Sequence, residues 1–242
     1  MLKLEKTVLL ITSTIKPNEK VFSLALKDKA DREKQYFAAL LFYIEKTKLK
    51  NIIYCDNSNT TLSNLSYLEK LATKYKKQFE YLSFHGNTSE IVHHGKGYGE
   101  GEIIKYILNN SKLIKNMDYL IKVTGRLYIT NINTLLRLCF DRYNYFDMTK
   151  TRRCETRFYM IQKSVYEKKF VDCYLNVDDK KDVWLEHIFK NIILKQRVAY
   201  KMFPVLPKVK GISGSTGKRY HDSKIKYYAK IILSKLKLYK IK

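Results

Sequence analysis

The sequence predicts an α/β protein, a mainly parallel sheet sandwiched by helices, and three observations carry that prediction. Short runs rich in β-branched and aromatic residues recur through the first half of the chain: TVLLIT (7–12), NIIYC (51–55), FEYLSF (79–84) and DYLIKV (118–123). Longer stretches with helical spacing separate them. Strands joined through helices of this length require right-handed crossovers, which lay neighbouring strands parallel. Finally, each run is followed at once by polar residues, as expected where ligands bind beyond the carboxyl ends of the strands of an open α/β sheet.

Taken in order, the N-terminal MLKLEKTVLLITSTIK is apolar only from Val8 to Ile11 and has no small-residue cleavage site, so it reads as a strand and not as a secretory signal. The first helix is expected over 31–45, with Tyr36, Leu40, Phe42, Tyr43 and Ile44 available for one face. Further helices are expected over 62–75 and 100–114. The polar segments after the strands are Thr12-Ser13-Thr14, Asp56-Asn57-Ser58-Asn59, His85-Gly86-Asn87 and Thr124-Gly125-Arg126. Four such segments at one sheet edge point to a single shared cleft. Beyond residue 130 the pattern becomes mixed: a helix over 133–140, a strand over 157–162 and a helix over 182–194, where Trp184, Ile188 and Ile192 are spaced four apart. Pro204 and Pro207 then break the chain. Residues 1–220 read as one domain and 221–242 as a basic tail.

Composition narrows the partners. The 242 residues are 45% hydrophobic and carry 47 basic against 23 acidic side chains, a formal charge of +24. Self-repulsion of that size calls for an anionic partner or surface. From Pro204 onward there are eleven Lys or Arg against Asp222 alone. Within the tail, Ile225, Tyr228, Ala229, Ile232 and Leu236 share one helical face while Lys226, Lys230 and Lys237 share another, a layout suited to an anionic membrane surface. No window approaches the roughly 18 apolar residues of a membrane span. The cysteines at 55, 139, 154 and 173 form no CxxC pair and read as reduced thiols of a cytosolic protein.

Several motifs invite a chemical reading. GISGSTGKRY (211–220) is not a Walker A loop, which needs glycines five apart followed by Lys and Ser or Thr. Here Gly211 and Gly217 are six apart and Arg219 follows Lys218. HHGKGYGEGE (93–102) reads as a shaped loop ahead of a helix starting near Glu100, whose acids would repel a phosphate. His85, His93 and His94 lack a recognised metal-ligand spacing. Glu167-Lys168-Lys169 holds the Glu-x-Lys of metal-dependent nucleases without the upstream Asp that such a core needs. In WLEHIF (184–189), Glu186 and His187 cannot face the same way; a carboxylate there could act as a general base toward a hydroxyl.

Together these pieces resemble nucleotide-sugar glycosyltransferases of GT-A-like, Rossmann-related fold, particularly the small hexosyltransferase-like enzymes of bacterial capsule and lipopolysaccharide gene clusters. The matching segments are the TST after the first strand, DREKQYFAALLFYIE, IIYCDNSN, KGYGEGE, DYLIKVTGRLYITN, WLEHIF and the terminal G-S-G-S-type loop. The resemblance implies a nucleotide pocket lined by Thr12 and Thr14, with Arg32 and Gly97 nearby and Asp56 and Asn57 on base or ribose. In that class the fourth strand ends in Asp-x-Asp, which holds a divalent metal on the diphosphate. This chain instead has Lys122, Thr124, Gly125 and Arg126. Those cations, with Arg32 and with Ser215, Thr216, Lys218 and Arg219, are expected to stabilise the leaving diphosphate in the metal's place. No cofactor is expected, although Mg²⁺ or Mn²⁺ is not excluded. Glu186 matches the acceptor base of inverting members. The implied partners are a nucleotide sugar, a glycan or lipid-linked acceptor and the anionic inner face of the cell membrane, with no nucleic acid. The rivals are a basic nucleic-acid-binding protein or nuclease, which lacks a recognised binding module, and a P-loop-like kinase.

Overall fold

A computed structural model describes residues 1–148, 153–214 and 216–220. The first strand, β1 (Thr7–Ser13), is buried at every position, as a strand covered on both faces must be. α1 (Lys29–Lys46) starts at Asp28, whose side chain accepts from the Asp31 N–H at 2.7 Å. It buries Arg32, Tyr36, Ala39, Leu40, Tyr43 and Ile44, a stripe recurring every three or four residues, and Phe42 falls at its margin. β2 (Asn51–Asp56), α2 (Leu65–Lys74) and β3 (Gln78–Ser83) follow, then α3 (Thr88–His94), α4 (Lys96–Asn110) and β4 (Tyr119–Thr124). The second half contains β5 (Leu127–Ile129), α5 (Ile132–Leu138), β6 (Asn144–Asp147), β7 (Glu155–Gln162) and α6 (Lys163–Lys169). The described part ends with α7 (Leu185–Lys195), β8 (Tyr200–Lys201) and β9 (Val209–Gly211).

Among the described residues one sheet runs β3-β2-β1-β4-β7-β6-β8, and β5 pairs with β9 apart from it. β3, β2, β1 and β4 are mutually parallel. β7 lies antiparallel to β4 and to β6, so it alone is reversed within the sheet. The fold is therefore α/β, with a mostly parallel central sheet flanked by helices. Strand alternation builds a core on each face. Leu9, Ile11, Ile121 and Phe158 pack with α1, α2 and α5, while Val8, Leu10, Leu120 and Tyr159 pack with α4, α6 and α7. By the same alternation Lys122 points to the second face, two residues on from Leu120.

The glycine-rich segment differs from the sequence expectation. The helix starts at Lys96 and not near Glu100, so Gly97, Gly99 and Gly101 lie within its first turns. The reason is packing. A methyl group on Gly101 would overlap Cβ and the ring of Tyr174, and one on Gly97 would come within 3.0 Å of Leu185 Cβ. The glycines let α4 press against the 3₁₀ turn Cys173–Asn176 and the start of α7. Their favourable packing offsets the poor helix propensity of glycine. Gly101→Ala is accordingly expected to destabilise the protein by about 1–3 kcal/mol through overpacking, measurable as a lowered urea midpoint at unchanged slope.

All four cysteines are buried and unbridged. No helix among the described residues is long and apolar enough to cross a membrane. The expected basic tail, 221–242, and Ser215 lie outside the described residues.

Candidate functional site

The carboxyl ends of β1, β2 and β4 open onto a cleft of about 1100 Å³. Because β7 runs the other way, its amino end reaches the same edge, and Glu155, Thr156 and Arg157 join the lining. The volume slightly exceeds the ~300–1,000 Å³ of ordinary small-ligand sites. Of the residues singled out from sequence, Thr12, Thr14, Arg32, Asn57 and Gly97 line this cleft, as do Thr124, Arg126, Glu186 and Thr216. Of the three histidines, His85 alone lines it, whereas His94 pairs with Glu90 at 3.1 Å and contacts the Val177 carbonyl.

Asp56 has a different task from the one the sequence suggested. It is fully buried, and Oδ2 accepts from Ser13 Oγ at 2.5 Å and Ile15 N at 2.7 Å, while Oδ1 accepts from Ser58 N and Oγ at 2.8 and 2.6 Å. With its oxygens committed to the two loops that form the rim, it organises the pocket and does not reach a base or ribose. Thr14 Oγ1 donates to Asn57 Oδ1 at 2.6 Å, tying the same loops together above it. Gly125 is also a structural requirement: a Cβ there would lie 2.5 Å from the Thr12 carbonyl oxygen, which accepts the Gly125 N–H at 2.9 Å.

Lys122 likewise leaves the role expected for it. Its side chain is 0% exposed, and Nζ meets Glu100 Oε1 at 2.5 Å, the Thr156 carbonyl at 2.8 Å and Thr124 Oγ1 at 3.1 Å. Burial holds its ammonium below the usual lysine pKa despite the attraction of Glu100. The charge is consumed beneath the cleft floor and is not offered to a ligand. Thr124 Oγ1 donates to Glu100 Oε2 at 3.3 Å, so the pair fixes a hydroxyl that does face the cleft. Arg126 donates Nη1 to the Ile212 carbonyl at 3.0 Å and remains part of the lining.

On the opposite wall, Glu186 stands in the first turn of α7 and faces the cleft. Its neighbour His187 turns away, contacting the Asp182 carbonyl at 2.9 Å and stacking on Trp184 at 5.0 Å. Burial raises the Glu186 pKa, the Glu100 and Glu155 carboxylates raise it further, and Arg153 opposes them. Glu155 is bound by both Nε and Nη2 of Arg157 at 2.5 Å, and Tyr220 covers that guanidinium at 4.4 Å. Lys96, Glu100, Glu155, Arg157 and Asp179, none of them a site residue expected from sequence, also line the cleft. Glu155 and Arg157 were detectable only from the reversed direction of β7, which no local pattern records.

The terminal segment folds back as a tight turn. Ser213 N donates to the Lys218 carbonyl at 2.9 Å, and Gly214 O accepts from Ala25 N at 3.0 Å. Thr216 reaches the cleft lining, but Lys218 and Arg219 are exposed outside it, because the turn directs them outward. The expectation that they face a diphosphate is not met by this arrangement. The donor set at the end of β4 does not fit a divalent cation either. That strand end presents a lysine and an arginine, Glu100 and Glu155 are engaged by cations, and among the described residues no three His, Cys, Asp or Glu side chains converge.

No family model matches the chain, and no curated protein matches it in sequence. Among solved structures it is similar to a candidate nucleotide-diphospho-sugar transferase from Desulfovibrio desulfuricans G20, at 12% identity and a TM-score of 0.45, covering 81% of this chain and 79% of that one.

Proposed function

We propose that the protein is a GT-A-like glycosyltransferase that moves a sugar from a nucleotide-sugar donor to a hydroxyl acceptor without a metal ion. One observation carries the proposal. A single cleft at the carboxyl edge of a mostly parallel sheet joins buried arginines on one wall to a carboxylate with a raised pKa on the other. The nucleotide lies over Thr12, Thr14 and Asn57, in the crevice where open α/β sheets bind such ligands. Glu186 takes the proton from the acceptor hydroxyl, whose oxygen attacks the anomeric carbon. The bond from that carbon to the diphosphate breaks, and the nucleoside diphosphate departs with the electron pair. Fixed cations of the cleft stabilise the developing charge. A surface glycan, of capsule or lipopolysaccharide, is the proposed acceptor, and residues 221–242 are proposed to hold the enzyme at an anionic membrane face.

The test is a panel of nucleotide sugars followed by donor turnover and thermal shift, with and without EDTA. At least one donor is expected to raise the melting temperature and to be consumed equally well in EDTA. Stabilisation by DNA or RNA but by no nucleotide or nucleotide sugar would sink the transferase reading. Loss of turnover in EDTA would overturn only its metal-free part.

A further inference from the structure

Arg32 and Arg126 are buried in the same cleft, 4% and 7% exposed, and both are bonded to neutral groups. Arg32 donates Nε to the Thr14 carbonyl at 2.7 Å, Nη1 to the Leu26 carbonyl at 3.0 Å and Nη2 to Tyr36 Oη at 3.0 Å. Arg126 donates Nη1 to the Ile212 carbonyl at 3.0 Å, and its buried Nε has no hydrogen-bond partner. Among the described residues neither guanidinium forms an ion pair. A buried charge without a counter-charge is costly, and here two lie on one cleft.

A third cation joins them. Lys96 is the first residue of α4 and lines the cleft. Its backbone N–H is taken by Asp179 Oδ2 at 2.9 Å, so the first N–H of the helix is satisfied from within the protein. Lys96 Nζ donates to the Ser23 carbonyl at 2.7 Å, on the loop that overhangs the cleft. Burial lowers its pKa, Asp179 and Glu186 pull it up, and Arg126 and Arg32 push it down again. All three cations line the same cleft.

We propose that Lys96, with Arg32 and Arg126, forms a diphosphate-binding site in which Lys96 supplies the cationic contact that the sequence assigned to Lys122. The proposal rests on the transferase reading for the identity of the anion as the donor's diphosphate, while the anion site itself follows from the charges. An ammonium on a flexible stem presents rotatable donors suited to a phosphate oxygen, and Lys96 lines the cleft whereas Lys122 lies beneath it against Glu100.

The experiment is calorimetric titration of inorganic pyrophosphate, of uridine and guanosine diphosphates and of the parent nucleosides into wild type, Lys96→Ala, Lys96→Gln and Lys96→Arg. Glutamine can still donate to the Ser23 carbonyl but carries no charge, so it separates anion binding from loop support. Both uncharged variants are expected to weaken pyrophosphate and the diphosphate that binds by about tenfold or more. Nucleoside binding should stay unchanged, and Lys96→Arg should recover most of the loss. Lys96→Gln binding pyrophosphate as wild type does, or wild type binding no diphosphate at all, overturns the proposal. Lys96-dependent pyrophosphate binding without turnover of any nucleotide sugar keeps the site and removes the transferase reading. Turnover that is indifferent to Lys96→Gln does the reverse.

Discussion

Glu186→Gln is expected to lower kcat for sugar transfer by about 10²–10⁴-fold, the usual contribution of a positioned general base, with donor affinity unchanged. The asymmetry follows from where the residue stands. Glu186 projects from the first turn of α7 into the cleft that Arg32 and Arg126 also line, and the proposed mechanism puts it at the acceptor and not at the nucleotide. Glutamine keeps the shape and a hydrogen bond but cannot take a proton. Single-turnover kinetics with saturating donor, alongside donor titration, check both halves. A variant that keeps kcat and instead loses donor affinity would assign Glu186 to binding.

The same residue fixes the sign of the pH dependence. Burial first, and then the Glu100 and Glu155 carboxylates, hold the Glu186 pKa above the usual carboxylate range. Arg153 faces it with the opposite sign, as do Lys96 and Lys122. Since the base works deprotonated, kcat/KM should rise with pH, with its midpoint displaced above that range, and Glu186→Gln should lack this limb. A folded-state pKa above the unfolded one means that the folded protein holds the proton more tightly. This group's contribution to stability is then full below the unfolded pKa and is lost as pH rises through the folded one. At pH values above the folded-state pKa the glutamine variant should therefore melt no lower than wild type, the pattern of a site that carries strain for function.

Periodicity and strand chemistry made the framework legible. β1, β2 and β4 read as near-continuous apolar runs because both faces are covered, β3 is the half-exposed edge strand, and the polar followers of all four do converge on one cleft. What the sequence hides is direction and depth. β7 reads as a strand, yet nothing in RFYMIQ says that it runs backwards and delivers Glu155 and Arg157 to the site. Asp56 and Lys122 carry the right chemistry at the right strand ends, but a one-residue difference in facing separates a ligand contact from a buried support. The glycines of KGYGEGE signal close approach correctly: Gly101 packs on Tyr174 and Gly97 on Leu185, and Gly97 also lines the cleft. Glu100 reads in sequence as repelling a phosphate, because the lysine that neutralises it is distant along the chain and enters from the next strand.

That ion pair gives the largest expected effect on stability. Lys122 sits in a strand otherwise packed with Leu120, Ile121 and Val123, with Glu100, 18% exposed, against it at 2.5 Å. A depressed folded-state pKa contributes stability only above the unfolded value and loses it as pH falls through the folded one. Burial thus disfavours the charged Lys122, and Glu100 offsets that only in part. Lys122→Met alone strands the carboxylate and should cost about 3–5 kcal/mol, lowering the melting temperature by on the order of 10 °C. Lys122→Met combined with Glu100→Gln removes both charges and should recover most of that loss. If stability were the pair's purpose, the double variant would also recover activity. It is expected instead to transfer sugar about tenfold or more slowly than wild type, because Lys122 and Glu100 together aim the Thr124 hydroxyl that lines the cleft. A double variant that is stable and fully active would reduce the pair to a support, and a single variant that melts like wild type would show that Glu100 finds water where the structure buries it.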